Sequence, residues 1–383
     1  MAKRLKVGVL FGGRSAEHEV SLRSAATVCA ALDRDKYEVI PIKIGRDGSW
    51  QLPAATEHAF LRGVADEEAR QIALLADPTI KQLLVRDPRR AGESVGRARW
   101  RHQAGTEQLD VVFPVLHGTY GEDGTIQGLL ELAGIPYVGA GVLASAVSMD
   151  KALMKSLFRD QGLPVPAWKV ILRFEWDRNG QDILRAIEAA LSYPVFVKPA
   201  NSGSSVGVSK VRAREDLASA LGEAFRYDRK ALVEQGVNAR EIEVSVLGND
   251  DPQASLPGEI LPSREFYDYQ AKYVDDSELV IPAPLDAETT RRAQELAVQA
   301  FRAVDAAGMA RVDLFLTRTD RQLYVNEINT IPGFTSISMY PKLWEASGVP
   351  IGRLVDHLIA LALDRATGRA KQETRYSPHS TLS

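Results

Sequence analysis

Twice in its first third the chain runs from a short apolar strand into a glycine-bearing turn and then into a helix, and few folds accommodate that order. Lys6 to Phe11 is an apolar strand that ends at Gly12-Gly13. Ala25, Val28, Cys29 and Leu32 follow at i, i+3, i+4 and i+7, the spacing of one helix face. Val111 to Leu116 is a second strand, closing on His117-Gly118, and Ile126, Leu129, Leu130 and Ala133 repeat the helical spacing. Strands alternating with helices predict a parallel α/β sheet here. At 383 residues the chain exceeds one compact core, so two or three domains are expected.

A formal charge of −3 predicts no general attraction to nucleic acid or an anionic membrane. The one cysteine, Cys29, excludes an intrachain disulfide and suits a cytoplasmic location. The apolar run before Gly12 is shorter than a signal peptide needs, and no window nears the roughly 20 apolar residues that span a bilayer. Residues 58–108 are polar and irregular; Arg86, Arg89, Arg90, Arg97, Arg99 and Arg101 fall there without an aromatic ladder or binding motif, so a solvated hairpin or insertion is expected. The polar tail after about 366 is expected to fray.

A second unit begins near Ser148-Met149-Asp150-Lys151, with a helix around Ala152–Phe158 and strands at Tyr193–Val197 and Ala231–Gln235. A third opens with Glu241–Leu247, where apolar and polar residues alternate as in a half-buried strand. A helix near 288–306 aligns Ala293, Leu296, Ala297, Ala300 and Val304, and strands at 311–317 and 322–328 follow. The boundaries are thus set at 1–145, 146–237 and 238–383.

Five segments carry chemistry. Lys198 ends a strand and a Gly/Ser loop follows; its small residues let backbone N–H groups approach phosphate oxygens, although such a loop alone is more often a surface hairpin. It is not the G-x-x-x-x-G-K-[ST] loop, and Gly12-Gly13 does not fit G-x-G-x-x-G. Arg311 and Asp313 share one face of a strand, as do Glu327 and Asn329 on the next. Paired, they would offer three oxygen ligands of the hard kind magnesium takes, or form plain surface salt bridges. Directly after them, Gly333 N–H and Ser338 Oγ are placed to meet an anion, or to form an ordinary turn. Phe266–Tyr273 is an aromatic segment with Lys272, either packing or a loop closing over a site. Last, Gly12–Ser21 and His117 lie at strand ends, where open α/β sheets bind ligands; Ser15, Ser21 and Glu17 would also serve a helix N-terminus.

In this order the segments GGRSAEHEVS, HGTYGEDGTIQG, KPANSGSSVGVSKV, EFYDYQAKY and NEINTIPGFTSIS resemble the D-alanine–D-alanine ligases of the ATP-grasp superfamily, from Val7 to about Val349. EQGVNAREIEVSVLG resembles that family's adenine-binding hinge, with Gln235 where some relatives carry lysine. The resemblance implies a three-domain ATP-grasp architecture whose N-terminal domain is parallel α/β. It implies ATP and two magnesium ions, with manganese a substitute, held by Asp313, Glu327 and Asn329. Lys151, Lys198 and Lys272 would serve ATP, with Ser204, Ser205 and Val206 folding over its phosphates and Glu234, Gln235 and Glu241 at adenine and ribose. Glu17 would meet the ammonium of the first D-alanine, linked to Ser204 and Tyr273, with His117 near. Lys272 and Ser338 would grip the second D-alanine's carboxylate, and Arg311 and Gly333 N–H would stabilise the oxyanion. The implied product is D-alanyl-D-alanine for peptidoglycan synthesis, made through an acyl phosphate by a homodimer. Tyr273 favours an amine nucleophile over D-lactate. The rivals are an ATP-grasp ligase using D-lactate or D-serine, and an inactive nucleotide-binding module.

Overall fold

The computed structural model describes residues 3–53, 69–80, 82–86, 100–101, 108–261 and 278–373. In the first unit, β1 (Leu5–Gly12), α1 (His18–Ala31) and β2 (Tyr37–Ile44) precede β3 (Trp50–Leu52), β4 (Arg70–Leu74), β5 (Leu83–Arg86), β6 (Trp100–Arg101) and β7 (Val111–Val115). The sheet order is β6-β5-β4-β3-β2-β1-β7. β1 is parallel to both β2 and β7, as the strand–helix alternation predicts. From β2 to β6 the pairing is antiparallel. The reason is local: a parallel partner needs a long crossover, and the Gly45–Ser49 turn returns the chain at once, Gly45 N–H bonding Ser49 O at 2.8 Å. Thus the irregular stretch extends the sheet where it is described. Arg86 is tied to Gln71, while Arg89, Arg90, Arg97 and Arg99 lie outside the described residues.

After α2 (Thr125–Leu132) and α3 (Val142–Met149), α4 spans Lys151–Asp160. The second sheet comprises β8 (Trp168–Leu172), β9 (Val195–Pro199), β10 (Ser209–Val211) and β11 (Lys230–Gln235), with α5 (Arg173–Glu188) and α6 (Arg214–Ala224) between them. Its order is β10-β9-β11-β8, antiparallel throughout. Val195 and Val197 pack under the two helices with Leu184, Ile187, Leu217 and Leu221. Strand alternation therefore turns Phe196 and Lys198 to the opposite face.

The third sheet runs β15-β14-β12-β16-β17, built from β12 (Ala239–Gly248), β14 (Gly258–Leu261), β15 (Glu278–Val280), β16 (Gly308–Thr317) and β17 (Leu323–Asn329), with β13 (Gln253–Ala254) paired to β12. α7 (Ala287–Ala303) is capped by Asp286, whose carboxylate accepts Thr289 N–H at 2.8 Å, and buries Ala293, Leu296, Ala297 and Ala300 against β12, β16 and β17. Met154 and Phe158 of α4 enter the same core, so this helix, numbered within 146–237, packs with the third sheet. α8 (Met339–Ala346) and α9 (Ile351–Ala370) return to the first sheet: Tyr340, Trp344, Leu354, Val355 and Leu358 share a core with Val7, Phe11, Phe113 and Val115. α9 also carries regular structure past 366, to Ala370. Among the described residues no single helix is long and apolar enough to cross a membrane.

Candidate active site

The turn after β1 needs glycine. At φ +90° Gly12 already lies against the Ile44 carbonyl, and a Cβ there would meet that oxygen at 2.3 Å. Gly12 N–H donates to Ser21 Oγ at 2.7 Å, and Ser21 Oγ–H donates to Val115 O, so one buried hydroxyl joins β1, α1 and β7. Ser15 Oγ–H donates to His117 O at 2.7 Å and accepts Glu17 N–H at 3.2 Å. Glu17 is thereby held, buried, at the foot of α1. Ser204 Oγ–H reaches across from the Gly/Ser loop to donate to Glu17 Oε1. In that loop Ser204 and Ser205 both take positive φ, at 49° and 57°, and Val206 N–H closes a turn on Gly203 O at 3.1 Å.

His117 is buried with both ring nitrogens engaged. Nδ1 lies 2.9 Å from the Ile331 carbonyl and must carry the proton; Nε2, 3.1 Å from Ser24 Oγ, then accepts. Burial drives its pKa below 6.5 against the opposing charge of Glu17, which fits this neutral tautomer. Ser24 Oγ also accepts Phe334 N–H at 3.1 Å. Glu122 completes the strap, accepting Gly118 N–H at 2.7 Å and Ile331 N–H at 3.1 Å. Burial, then the negative charge of Glu17, pushes its pKa up to about 8. The loop after β17, with Gly333, is thus bound to the first unit by three side chains. Gly333 and Ser338 face one another closely enough that a Cβ on the glycine would meet Ser338 Oγ at 2.7 Å. That hydroxyl accepts Thr335 N–H at 2.9 Å.

The second focus lies between the second and third sheets. β16 and β17 pair Arg311 with Asn329 and Asp313 with Glu327, so the four side chains share one face. Arg311 binds Asp313 through two hydrogen bonds of 2.7 Å and lies 3.1 Å from Glu243 Oε2. Asn329 Nδ2 donates to Asp313 Oδ2 at 3.1 Å, and Lys151 Nζ lies 3.3 Å from Glu327 Oε2. Two carboxylates and an amide oxygen side by side fit a hard divalent cation that completes its shell with phosphate oxygens. Opposite them, Lys198 Nζ donates to Glu234 Oε2 at 2.9 Å, and Lys155 Nζ stands 3.0 Å from Glu234 Oε1. Burial would raise the Glu234 pKa, yet the two ammonium groups hold it below the usual carboxylate range. Burial works against the Lys198 charge too, and Glu234 with Glu327 and Glu241 carries its pKa above the ordinary lysine value. For Lys155 burial prevails over Glu234 and the pKa falls.

Lys151, Lys198, Glu234, Asp313, Glu327, Asn329 and Arg311 therefore share one cleft, and Glu17, Ser204 and His117 gather at its N-terminal side. Glu241 pairs with Ile260 and Phe315 on β12. Gln235 turns away: its side chain accepts Ser192 N–H at 2.8 Å and donates to Ser192 O at 2.7 Å, closing the turn before β9. Lys272 and Tyr273 lie outside the described residues. Sequence reasoning passed over Lys155, Glu122 and Glu243. Two signals were present: Lys155 is four residues from Lys151, on one helix face, and Glu243 two from Glu241, on one strand face.

Two sheets closing on a lysine–carboxylate cleft, with a Gly/Ser loop at its mouth, define an ATP-grasp ligase. Models of the D-ala D-ala ligase N-terminus and C-terminus match residues 6–140 and 157–360, and the chain belongs to that family. A D-alanine–D-alanine ligase of Natranaerobius thermophilus is 48% identical over 98% of this chain and 99% of its own. One from Heliobacterium modesticaldum is 49% identical over 97% and 98%. The structure of the D-alanine–D-alanine ligase of Coxiella burnetii matches with TM-score 0.79 at 38% identity, covering 97% of each chain. That of the VanG D-Ala:D-Ser ligase of Enterococcus faecalis matches with TM-score 0.82 at 37% identity, covering 94% of this chain and 100% of that one.

Proposed function

We propose that this enzyme joins two D-alanines into D-alanyl-D-alanine for peptidoglycan precursors, at the expense of ATP. The observation that carries the reading is the register of β16 on β17, which sets Arg311, Asp313, Glu327 and Asn329 on one face across from Lys198. The carboxylate of the first D-alanine takes a phosphoryl group from ATP, the amine of the second attacks the acyl phosphate, and phosphate leaves. Protein groups act by position and charge rather than by covalent chemistry. Glu17 receives the first ammonium, Lys151 and Lys198 the phosphates, and Arg311 with Gly333 N–H the developing oxyanion. Lys272 and Ser338 take the second carboxylate, and Tyr273 favours the amine nucleophile. A divalent metal, magnesium with manganese as substitute, supplies charge neutralisation; two ions would be held by Asp313, Glu327 and Asn329. Acyl phosphates hydrolyse readily, so the Ser204–Gly207 loop, already against Glu17, serves to exclude water. The working form is a cytoplasmic homodimer.

Likeness to a D-Ala:D-Ser ligase keeps one alternative in view, D-serine or D-lactate as second substrate. Phosphate release with ATP, magnesium and D-alanine, with mass analysis of the product, tests the reading. D-alanyl-D-alanine is expected, and mixed product as the main species under equal D-alanine and D-serine would favour the alternative. Glu327→Ala is expected to cut phosphate release by about a hundredfold or more, the scale of a lost metal ligand. Full release by that variant removes Glu327 from the metal set.

A further inference from the structure

The reading above leaves Lys155 idle, although it is 1% exposed and touches both sheets. The geometry points to Lys155 as a positioning residue that keeps the buried Glu234 carboxylate in place while Lys198 turns from it onto a nucleotide phosphate. The inference rests on the reading that Lys198 and Glu234 line the nucleotide site.

α4 presents two lysines one turn apart. Lys151 stands at the phosphate end, donating to Ser202 O at 2.9 Å beside Glu327. Lys155 is buried, 3.0 Å from Glu234 Oε1, and donates to Asn326 O at 3.1 Å. That carbonyl is exposed to it by a break in the ladder. Asp313 pairs with Glu327 but Leu314 pairs with Val325, so the register skips Asn326. Lys155 is therefore fixed at two points, and its neighbours Met154 and Phe158 are fully buried.

Lys198 is the looser partner of the same carboxylate. Its side chain is 13% exposed against 1% for Lys155, and it stands directly before the Gly/Ser loop. A buried carboxylate stripped of its only cation is strongly disfavoured. With Lys155 on Oε1, Glu234 keeps one ammonium when Lys198 leaves Oε2. Without Lys155, Lys198 becomes the sole counter-ion among the described residues and is held back from phosphate.

Steady-state kinetics of the full enzyme with ATP and D-alanine test this. Lys155→Met is expected to raise KM for ATP by about tenfold or more, the scale of one lost charge-assisted hydrogen bond. KM for D-alanine should stay unchanged. So should the inhibition constant of adenosine, which has no phosphate for Lys198 to meet. If Lys155→Met yields no folded protein, Lys155→Gln carries the same expectation in the ATP-to-adenosine ratio. Equal weakening of ATP and adenosine would make Lys155 a structural residue only and overturn the inference. So would an unmoved KM for ATP where Lys198→Met raises it. If Lys198→Met itself leaves KM for ATP unmoved, the nucleotide-site reading fails first and the inference with it.

Discussion

Glu17 shows how closely single atoms define this site. Two glycines from distant segments press on its carboxylate: a Cβ at Gly118 would meet Glu17 Oε2 at 2.5 Å, and one at Gly203 would meet it at 2.8 Å. Gly118 also has φ +73°, whereas the backbone of Gly203 is open to other residues, so Gly203→Ala probes crowding alone. The added methyl meets the far end of a flexible side chain, which yields by moving Glu17 rather than by unfolding the loop. KM for D-alanine is expected to rise by about tenfold, since a shift of about 1 Å at a positioning group carries up to a hundredfold. KM for ATP should hold; a variant that loses ATP affinity and keeps D-alanine affinity would place Glu17 at the wrong substrate. Ser204 is legible in the sequence only as a hydroxyl in a small-residue loop. Its partner, 187 residues away, follows from the family resemblance, because no local spacing brings the two together.

Among the elements α4 holds most of the wiring. Asp150 caps it, Oδ1 accepting Ala152 and Leu153 N–H at 3.1 Å each, while Oδ2 takes Lys230 Nζ from β11. One carboxylate thus starts the helix that carries Lys151 and Lys155 and ties it to the second sheet. Asp150→Ala should lower the melting temperature, with a cap loss of about 0.5–2 kcal/mol and a lysine left without its anion. Asp150→Asn retains an acceptor for the helix N–H groups and should fall between. Equal melting temperatures for Asp150→Asn and Asp150→Ala would assign the whole effect to the lost charge. The helical stripe of α7 and the shared faces of β16 and β17 follow from periods of 3.6 and 2, so they could be read from the chain. Lys155 could not. A lysine beside Met154 and Phe158 reads as a solvated interruption of an apolar face, and only the approach of Glu234 and the skipped Asn326 makes a buried position tolerable.

At the scale of the molecule, the first unit and the third are one packed body rather than beads. α9 fills the first sheet's core, so Leu358→Ala, at a fully buried position, should cost about 2–5 kcal/mol and lower the melting of the N-terminal sheet although the residue lies far along the chain. The strap of Ser24, His117 and Glu122 makes the same connection through polar groups. Its pH response has a definite sign. The Glu122 pKa rises from 4.5 to about 8 on folding, so its favourable contribution is complete below about 4.5 and is lost as pH climbs to about 8. His117 runs the other way, contributing above 6.5 and losing that contribution as pH falls. Glu122→Gln removes the first response and keeps the second. The melting temperature of the parent protein minus that of the variant should therefore shrink from pH 5 to pH 8.5. A difference that widens over this range would contradict a carboxyl held protonated there.

The chain's own order decided which residues share a strand face or a helix stripe, which turns need glycine, and which groups were present to hold phosphate and metal. Those follow from dihedral geometry and spacing over a few residues. Packing decided the rest: that Lys155 and Lys198 share Glu234, that Gln235 turns to Ser192, and that α9 returns to the first sheet. Such pairings join segments far apart in the chain. Their distances are set by how whole sheets and helices bury apolar surface, a quantity that no short stretch of sequence contains.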